Sequence, residues 1–342
     1  DTMTNPATAL HHYAGLNLGF FGLAKVEVVA ATIYEWYGFR LSDNSAAAQQ
    51  SAVQRDCPFT FGVCTKRTGV CSVIPARSSD RVIVCPKRLY FDNYDFLTYI
   101  AADAFDDIAV NLGPHGRPLL VSASEAAGVA YQTGVSQVGV FGGEWGREVR
   151  LPSMTDTGSR GGYSVDFTLI VVDPSGELIR IAPVEVQSID TTGNLSDSID
   201  GAKFGGRSIV PSEGAGLNWE NVNKRIIPQL IQKGLMLQAE SLCRSGIYFV
   251  APEPVFQKLM ARLGGVHRFR RIPKQPGSLT FVRYEYDDSA KVEEGVAMPL
   301  RHLSDLRIST SDFSMAFITP ENLPAPDSYA NAIRRRLRQN VR

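Results

Sequence analysis

The runs YSVDFTLIVV and LIRIAPVEVQS, joined by the turn DPSGE, constrain this chain more than any other feature. Asp, Pro and Gly in the turn favour a tight reversal, and the β-branched and aromatic residues on either side favour extended backbone. The expectation is an antiparallel hairpin with strands over 163–172 and 178–188. Side chains alternate faces along a strand, so Val184 and Val186 point one way while Pro183, Glu185 and Gln187 point the other. Asp166 lies on the face opposite Val165, Phe167, Leu169 and Val171. Pairing of the two strands would bring two carboxylates and an amide together on one side. The plain alternative is an edge strand with one solvated face.

Two carboxylates converging within a sheet are unfavourable unless a cation or hydrogen-bond donors compensate them, which points to a divalent metal. Magnesium takes hard oxygen ligands such as Asp166 and Glu185, with the Val186 backbone carbonyl as a further candidate. A metal held there lowers the pKa of a bound water and offsets charge developing on a phosphate. An Asp on one strand and Glu-x-Gln on the next is the acid skeleton of a metal-dependent nuclease. Gln187 is placed to orient the water or a phosphate oxygen, with dipoles where a lysine would bring charge. Glu148, on the preceding element, is the preferred candidate for a second metal position. Glu144 would share its face on a helix and is nearly tied with it.

A second cluster lies upstream. CPFTFGVCTKRTGVCSVIPARSSDRVIVC sets Cys57, Cys64, Cys71 and Cys85 at intervals of six, six and thirteen residues. Four thiolates can surround zinc or iron tetrahedrally, and chemistry alone favours zinc. A site with four protein ligands is closed to substrate, so its role would be to staple a short polar segment that cannot bury enough apolar surface unaided. Four free buried cysteines are the alternative. Cys243 stands apart in an apolar helical pattern.

The 342 residues are 44% hydrophobic, enough for one large core with a satellite or for two modest domains. Lysine plus arginine and aspartate plus glutamate both number 35, so a polyanionic partner would have to be held by local patches. Two such patches exist, Arg334, Arg335, Arg336, Arg338 and Arg342 in the tail, and Arg268, Arg270, Arg271 and Lys274 before it. GLNLGFFGLA is too short to span a membrane and lacks the basic flank of a secretory signal, so a cytoplasmic protein with reduced cysteines is expected.

Apolar spacing predicts a helix over 12–40, carrying Phe20, Phe21, Val28, Ile33 and Trp36, then a polar connector into the cysteine segment. Further helices are expected over 89–110, over 219–242 with a kink near Pro228, and over 253–263. Short strands and Gly-interrupted turns are expected over 118–140, and strands at SGIYFVAPEPVF, TFVRYEYD and STSDFSMAFIT. The mixture points to an α/β fold around a mixed sheet flanked by helices. The expected segments are an N-terminal helical part (1–50), a cysteine module (51–90), a core (91–270) and C-terminal strands, helix and basic tail (271–342).

The order CPF, GVCSV, VCPKR, GREVRLPSMTDT, YSVDFTL, PVEVQSID and NVNKRIIPQLIQKGLML, over about residues 55–265, resembles the NotI-type restriction endonucleases, a branch of the PD-(D/E)XK nuclease superfamily. The resemblance implies that core fold plus a small four-cysteine metal-binding module. It implies that Asp166 and Glu185 are the central metal ligands, that Gln187 is the glutamine these enzymes use in place of lysine, and that Glu148 is the additional acid. It implies that Cys57, Cys64, Cys71 and Cys85 hold a structural iron. The implied enzyme is a bacterial homodimer that cuts both strands of GC-rich palindromic double-stranded DNA with 5' overhangs. Ser-Val-Asp stands where the superfamily name expects a proline before the acid, a tolerable departure because that proline performs no chemistry. Asp190 and Asp200 read as surface residues or helix caps.

Phosphate contacts would set affinity and groove-edge contacts sequence. Candidates for the former are Lys66, Arg67, Arg77, Arg81, Lys87, Arg88, Lys224, Arg225 and the Arg334–Arg338 run. The rival functions are a non-cleaving sequence-specific DNA-binding protein with a zinc module, a nuclease for nonspecific or structured DNA, and a metal-stapled interaction protein. His11, His12, His115, His267 and His302 are dispersed without zinc-protease spacing, and no glycine-rich piece carries a phosphate-loop lysine, so ATP chemistry is not expected.

Overall fold

The computed structural model describes residues 31–60, 62–75, 78–151, 162–192 and 216–339. Its first part holds β1 (Thr32–Trp36), β2 (Phe39–Arg40), α1 (Ala46–Gln54), β3 (Asp56–Cys57), β4 (Gly62–Val63), β5 (Val70–Ile74) and β6 (Val82–Ile83). A small antiparallel sheet runs β2-β1-β5-β6. Residues 32–36 are therefore a strand, where a helix reaching residue 40 was expected. TIYEW alternates half-buried and buried side chains, and Tyr37–Gly38, both at positive φ, turn it into β2. The β-branched and aromatic composition overrides the helical spacing there. The rest of the expected helix, 12–30, lies outside the described residues.

The main sheet has eight strands: β7 (Leu120–Ser122), β8 (Gln137–Phe141), β11 (Phe167–Val172), β12 (Leu178–Val186), β15 (Ile247–Pro252), β16 (Ser278–Tyr286), β17 (Leu300–His302) and β18 (Leu306–Ser309). Two short pairs flank it, β9 (Arg150–Leu151) with β10 (Tyr163–Ser164), and β13 (Thr191–Thr192) with β14 (Gly216–Leu217). The sheet order is β17-β16-β15-β12-β11-β8-β7, with β18 also on β16. The expected hairpin is its centre: β11 and β12 pair antiparallel with Phe167 opposite Val184. β12 pairs on its other side with β15, in parallel, and is no edge strand.

Helices cover both faces. α2 (Phe91–Ala104) packs Phe96, Leu97 and Ile100 against one face, where Val184 and Val186 join Tyr248 and Val282. α4 (Ile227–Gln238), α5 (Glu253–Arg262) and α6 (Thr310–Ile318) pack against the other, around Phe249 and Phe281. α3 (Ala123–Thr133) joins the parallel strands β7 and β8. α7 (Ser328–Gln339) buries no residue. The molecule is thus an α/β protein with a mixed sheet between helical layers.

Three expectations are corrected. Residues 123–133 are helical, because ASEAAGVAYQT is dominated by small residues that lie close on β8 and β11, with Ala126 and Ala130 fully buried. STSDFSMAFIT is α6, started by the Ser309 side chain accepting from the backbone N–H groups of Ser311 and Asp312. β16 lies inside the main sheet, so the segment after 270 contributes to the core. The helix expected over 219–242 runs as a π turn over Val222–Ile226 followed by α4, and Pro228 sits in the first α turn, where its missing N–H does least harm.

Candidate functional site

β11 enters the sheet immediately after Asp166, and the register that sets Phe167 on Val184 brings Asp166 beside Glu185 on β12. Asp166 Oδ2 accepts the Val186 backbone N–H at 2.8 Å. Gly142 lets the neighbouring chain approach: at φ +102°, a Cβ there would drive into the Asp166 carbonyl oxygen. Beneath lie Tyr90, Tyr94, Phe96 and Phe167, with the Tyr90 and Phe167 rings 5.4 Å apart and edge to face.

Glu185 is 3% exposed and points toward α4, where Lys233, 6% exposed, donates from Nζ to its Oε1. Burial, and after it the neighbouring Asp166 carboxylate, pushes the Glu185 carboxyl up to about 8, against the opposing pull of Lys233. Burial raises Asp166 as well; the Val186 N–H and Lys233 oppose the rise and Glu148 adds to it. A buried and a half-buried carboxyl group thus stand together beside one ammonium, a set of hard oxygen donors that would suit a divalent cation.

Glu148 is exposed, accepts a hydrogen bond from the Ser164 hydroxyl, and lies within electrostatic reach of Asp166. Glu144 instead faces Tyr94, whose hydroxyl donates to it at 3.5 Å. Glu144 and Glu148 do not share a helix face as expected. Gly143–Trp145 forms a single tight turn between glycines at positive φ, and the chain then runs irregularly to Arg150. Gln187 follows Val186, donates its backbone N–H to Val250 at 3.0 Å, and lines a hollow with Glu185, Gln229 and Lys233. Its volume of about 10 Å³ leaves room for about one water.

Lys233 is the functional candidate that sequence reasoning missed. It sits three residues after Leu230 and four before Leu237, on the buried stripe of α4. A charged residue on an apolar stripe was the available signal. Gly234 fixes the helix close by, since a Cβ there would collide with Thr310 of α6.

Cys57 and Cys71 share a small apolar cluster with Phe59, and half-buried Cys64 packs against it. Cys85 lies within electrostatic reach of Cys57, Cys64 and Cys71. All are free thiols. Burial first, and neighbouring thiols after it, push the Cys64, Cys71 and Cys85 thiols upward. Among the described residues, no three or more Cys, His, Asp or Glu side chains close into a ligand shell.

The expected phosphate contacts divide. Arg88 is fully buried and corrects that expectation: its guanidinium holds Glu35 at 2.9 Å, reaches the Met298 carbonyl, and lies 4.8 Å from the Phe59 ring centre. Glu35 in turn accepts from Tyr286 at 2.5 Å and Ser72 at 3.0 Å. Lys66 turns inward to the Val84 carbonyl, and Arg81 pairs with Asp288 at 2.6 Å. Lys224 and Arg225 make exposed ion pairs with Glu220 and Asp190. Arg268 pairs with Glu321 and Lys274 with Asp106, while Arg271 donates to the Asp305 carbonyl. Arg67 is exposed, Lys87 is half-buried, and Arg334, Arg335, Arg336 and Arg338 are exposed on α7. Asp190 also accepts from Asn221 at 2.9 Å, at the start of the π turn. Arg77, Asp200 and Arg342 lie outside the described residues.

A larger cleft of about 850 Å³ between the small sheet and α5 shares no lining residue with the carboxylate site. Arg301 pairs there with Glu285, and Arg81 with Asp288. No helix among the described residues is long and apolar enough to cross a membrane. No protein-family model matches the chain, and comparison with curated proteins gives no match.

Proposed function

We propose that the chain is a magnesium-dependent endodeoxyribonuclease of the restriction type. What carries the reading is buried Glu185 on β12 with half-buried Asp166 beside it at the start of β11, Glu148 in reach of one and Gln187 beyond the other. Carboxyl oxygens converging in a sheet, with their titration shifted by burial and by each other, suit a hard divalent cation. Bound there, magnesium would supply Lewis acidity toward a phosphate oxygen and a more acidic water.

Asp166 and Glu185 would hold the ion, with Glu148 free to swing toward a second position because it is exposed. Gln187 would orient the attacking water through its amide. A bond forms from the water oxygen to phosphorus as the bond to the leaving sugar oxygen breaks; the water's proton goes to solvent and the leaving oxygen takes one from solvent. A palindromic GC-rich target would be met by a twofold dimer, and the four cysteines would hold iron, or zinc in its place, as a staple. Cleavage by D166A and E185A variants tests the assignment: activity should vanish while specific DNA binding in calcium stays within about tenfold. Wild-type cleavage by either variant would refute it.

A further inference from the structure

We infer that Lys233 supplies, from α4, the positive charge at the scissile phosphate that the strand position held by Gln187 does not supply; this rests on the nuclease reading above. Lysine is almost never buried unless paired, and the pairing here is specific: Nζ donates to Glu185 Oε1. Lys233 and Gln187 line the same hollow, with room for about one water. An amide brings only dipoles to a phosphate that gains charge on attack, whereas an ammonium brings a full positive charge in a site of low dielectric. Gly234 and the apolar residues Leu230 and Leu237 pack α4 closely, with Lys233 on its buried stripe. When Glu185 engages a divalent cation, the nearest place for the displaced ammonium is the hollow it already lines.

A role in folding alone makes opposite predictions. The test measures manganese affinity without DNA and single-turnover cleavage with magnesium for full-length wild type, K233M and K233M/Q187K. K233M should bind manganese roughly tenfold more tightly, because a like charge beside the ligand is gone. It should cleave roughly a hundredfold more slowly, because charge at the phosphate is lost. K233M/Q187K, with a lysine on the strand, should recover most of the rate. Wild-type cleavage by K233M, weaker manganese binding together with slower cleavage, or no recovery in K233M/Q187K would overturn the inference. If K233M does not fold, K233R carries the test. Cleavage within about tenfold of wild type supports the charge role, and complete loss with an unchanged melting curve overturns it. A wild type that cuts no DNA refutes the nuclease reading itself, whereas a cutting wild type with an equally active K233M refutes only the role of Lys233.

Discussion

Asp166 and Glu185 stand side by side on neighbouring antiparallel strands, one tied to the Val186 backbone N–H and the other to the Lys233 ammonium. Burial raises both from their ordinary values, Glu185 to about 8. Between the ordinary glutamate range and about 8 the folded chain therefore holds more protons than the unfolded one, so stability falls as pH rises through that window. Urea midpoints in EDTA should drop between pH 5 and pH 8, and the drop should be smaller in E185Q. A midpoint that rises with pH in the wild type would contradict the assigned direction.

Gly142 should not tolerate a side chain. Its φ of +102° and its approach to the Asp166 carbonyl oxygen make G142A a strained and crowded substitution. Denaturant titration should show a loss of about 1–3 kcal/mol, accompanied by weaker manganese binding as Asp166 shifts. Unchanged stability and unchanged binding would show that the backbone gives way without moving the carboxylate.

The ion pair of Arg88 and Glu35 is fully buried and joins the small sheet to β16 through Tyr286. Removing one partner strands the other, so R88M should cost about 3–5 kcal/mol. The double variant R88M/E35Q should recover part of that loss. Equal losses in single and double variants, measured by chemical denaturation, would mean the two charges do not act as a pair.

The cysteine cluster should hold one structural metal. Elemental analysis of protein purified without added metal should find iron or zinc. C71A, which removes a buried thiol within reach of Cys85, should lower both metal content and melting temperature. Metal-free protein with an unchanged melting curve would make these four ordinary buried thiols.

The hairpin was legible because DPSGE and the alternating apolar residues leave few other arrangements, and its register places Asp166 beside Glu185 directly. Burial of the polar face was not legible. That β12 is central depends on its parallel pairing with β15, far along the chain, and nothing local specifies it. Lys233 was hidden for a related reason: a lysine among IIPQLIQKGLML reads as a solvated helix position until the facing strand is known to carry a carboxylate. Arg88 read as a phosphate contact because its buried partner, Glu35, lies in a segment whose helical spacing concealed a strand. STSDFSMAFIT is a helix rather than the expected strand, its first turn held by the Ser309 side chain.

Incubating the full-length protein with long, methylation-free DNA in magnesium or in EDTA, and sequencing the ends, tests the central claim most directly. Discrete fragments with 5' overhangs at one palindromic site, formed in magnesium alone, are the predicted result. Intact DNA in magnesium, with discrete protected sites in a footprint, would contradict it and leave a DNA-binding protein in which Asp166, Glu185 and Lys233 are structural.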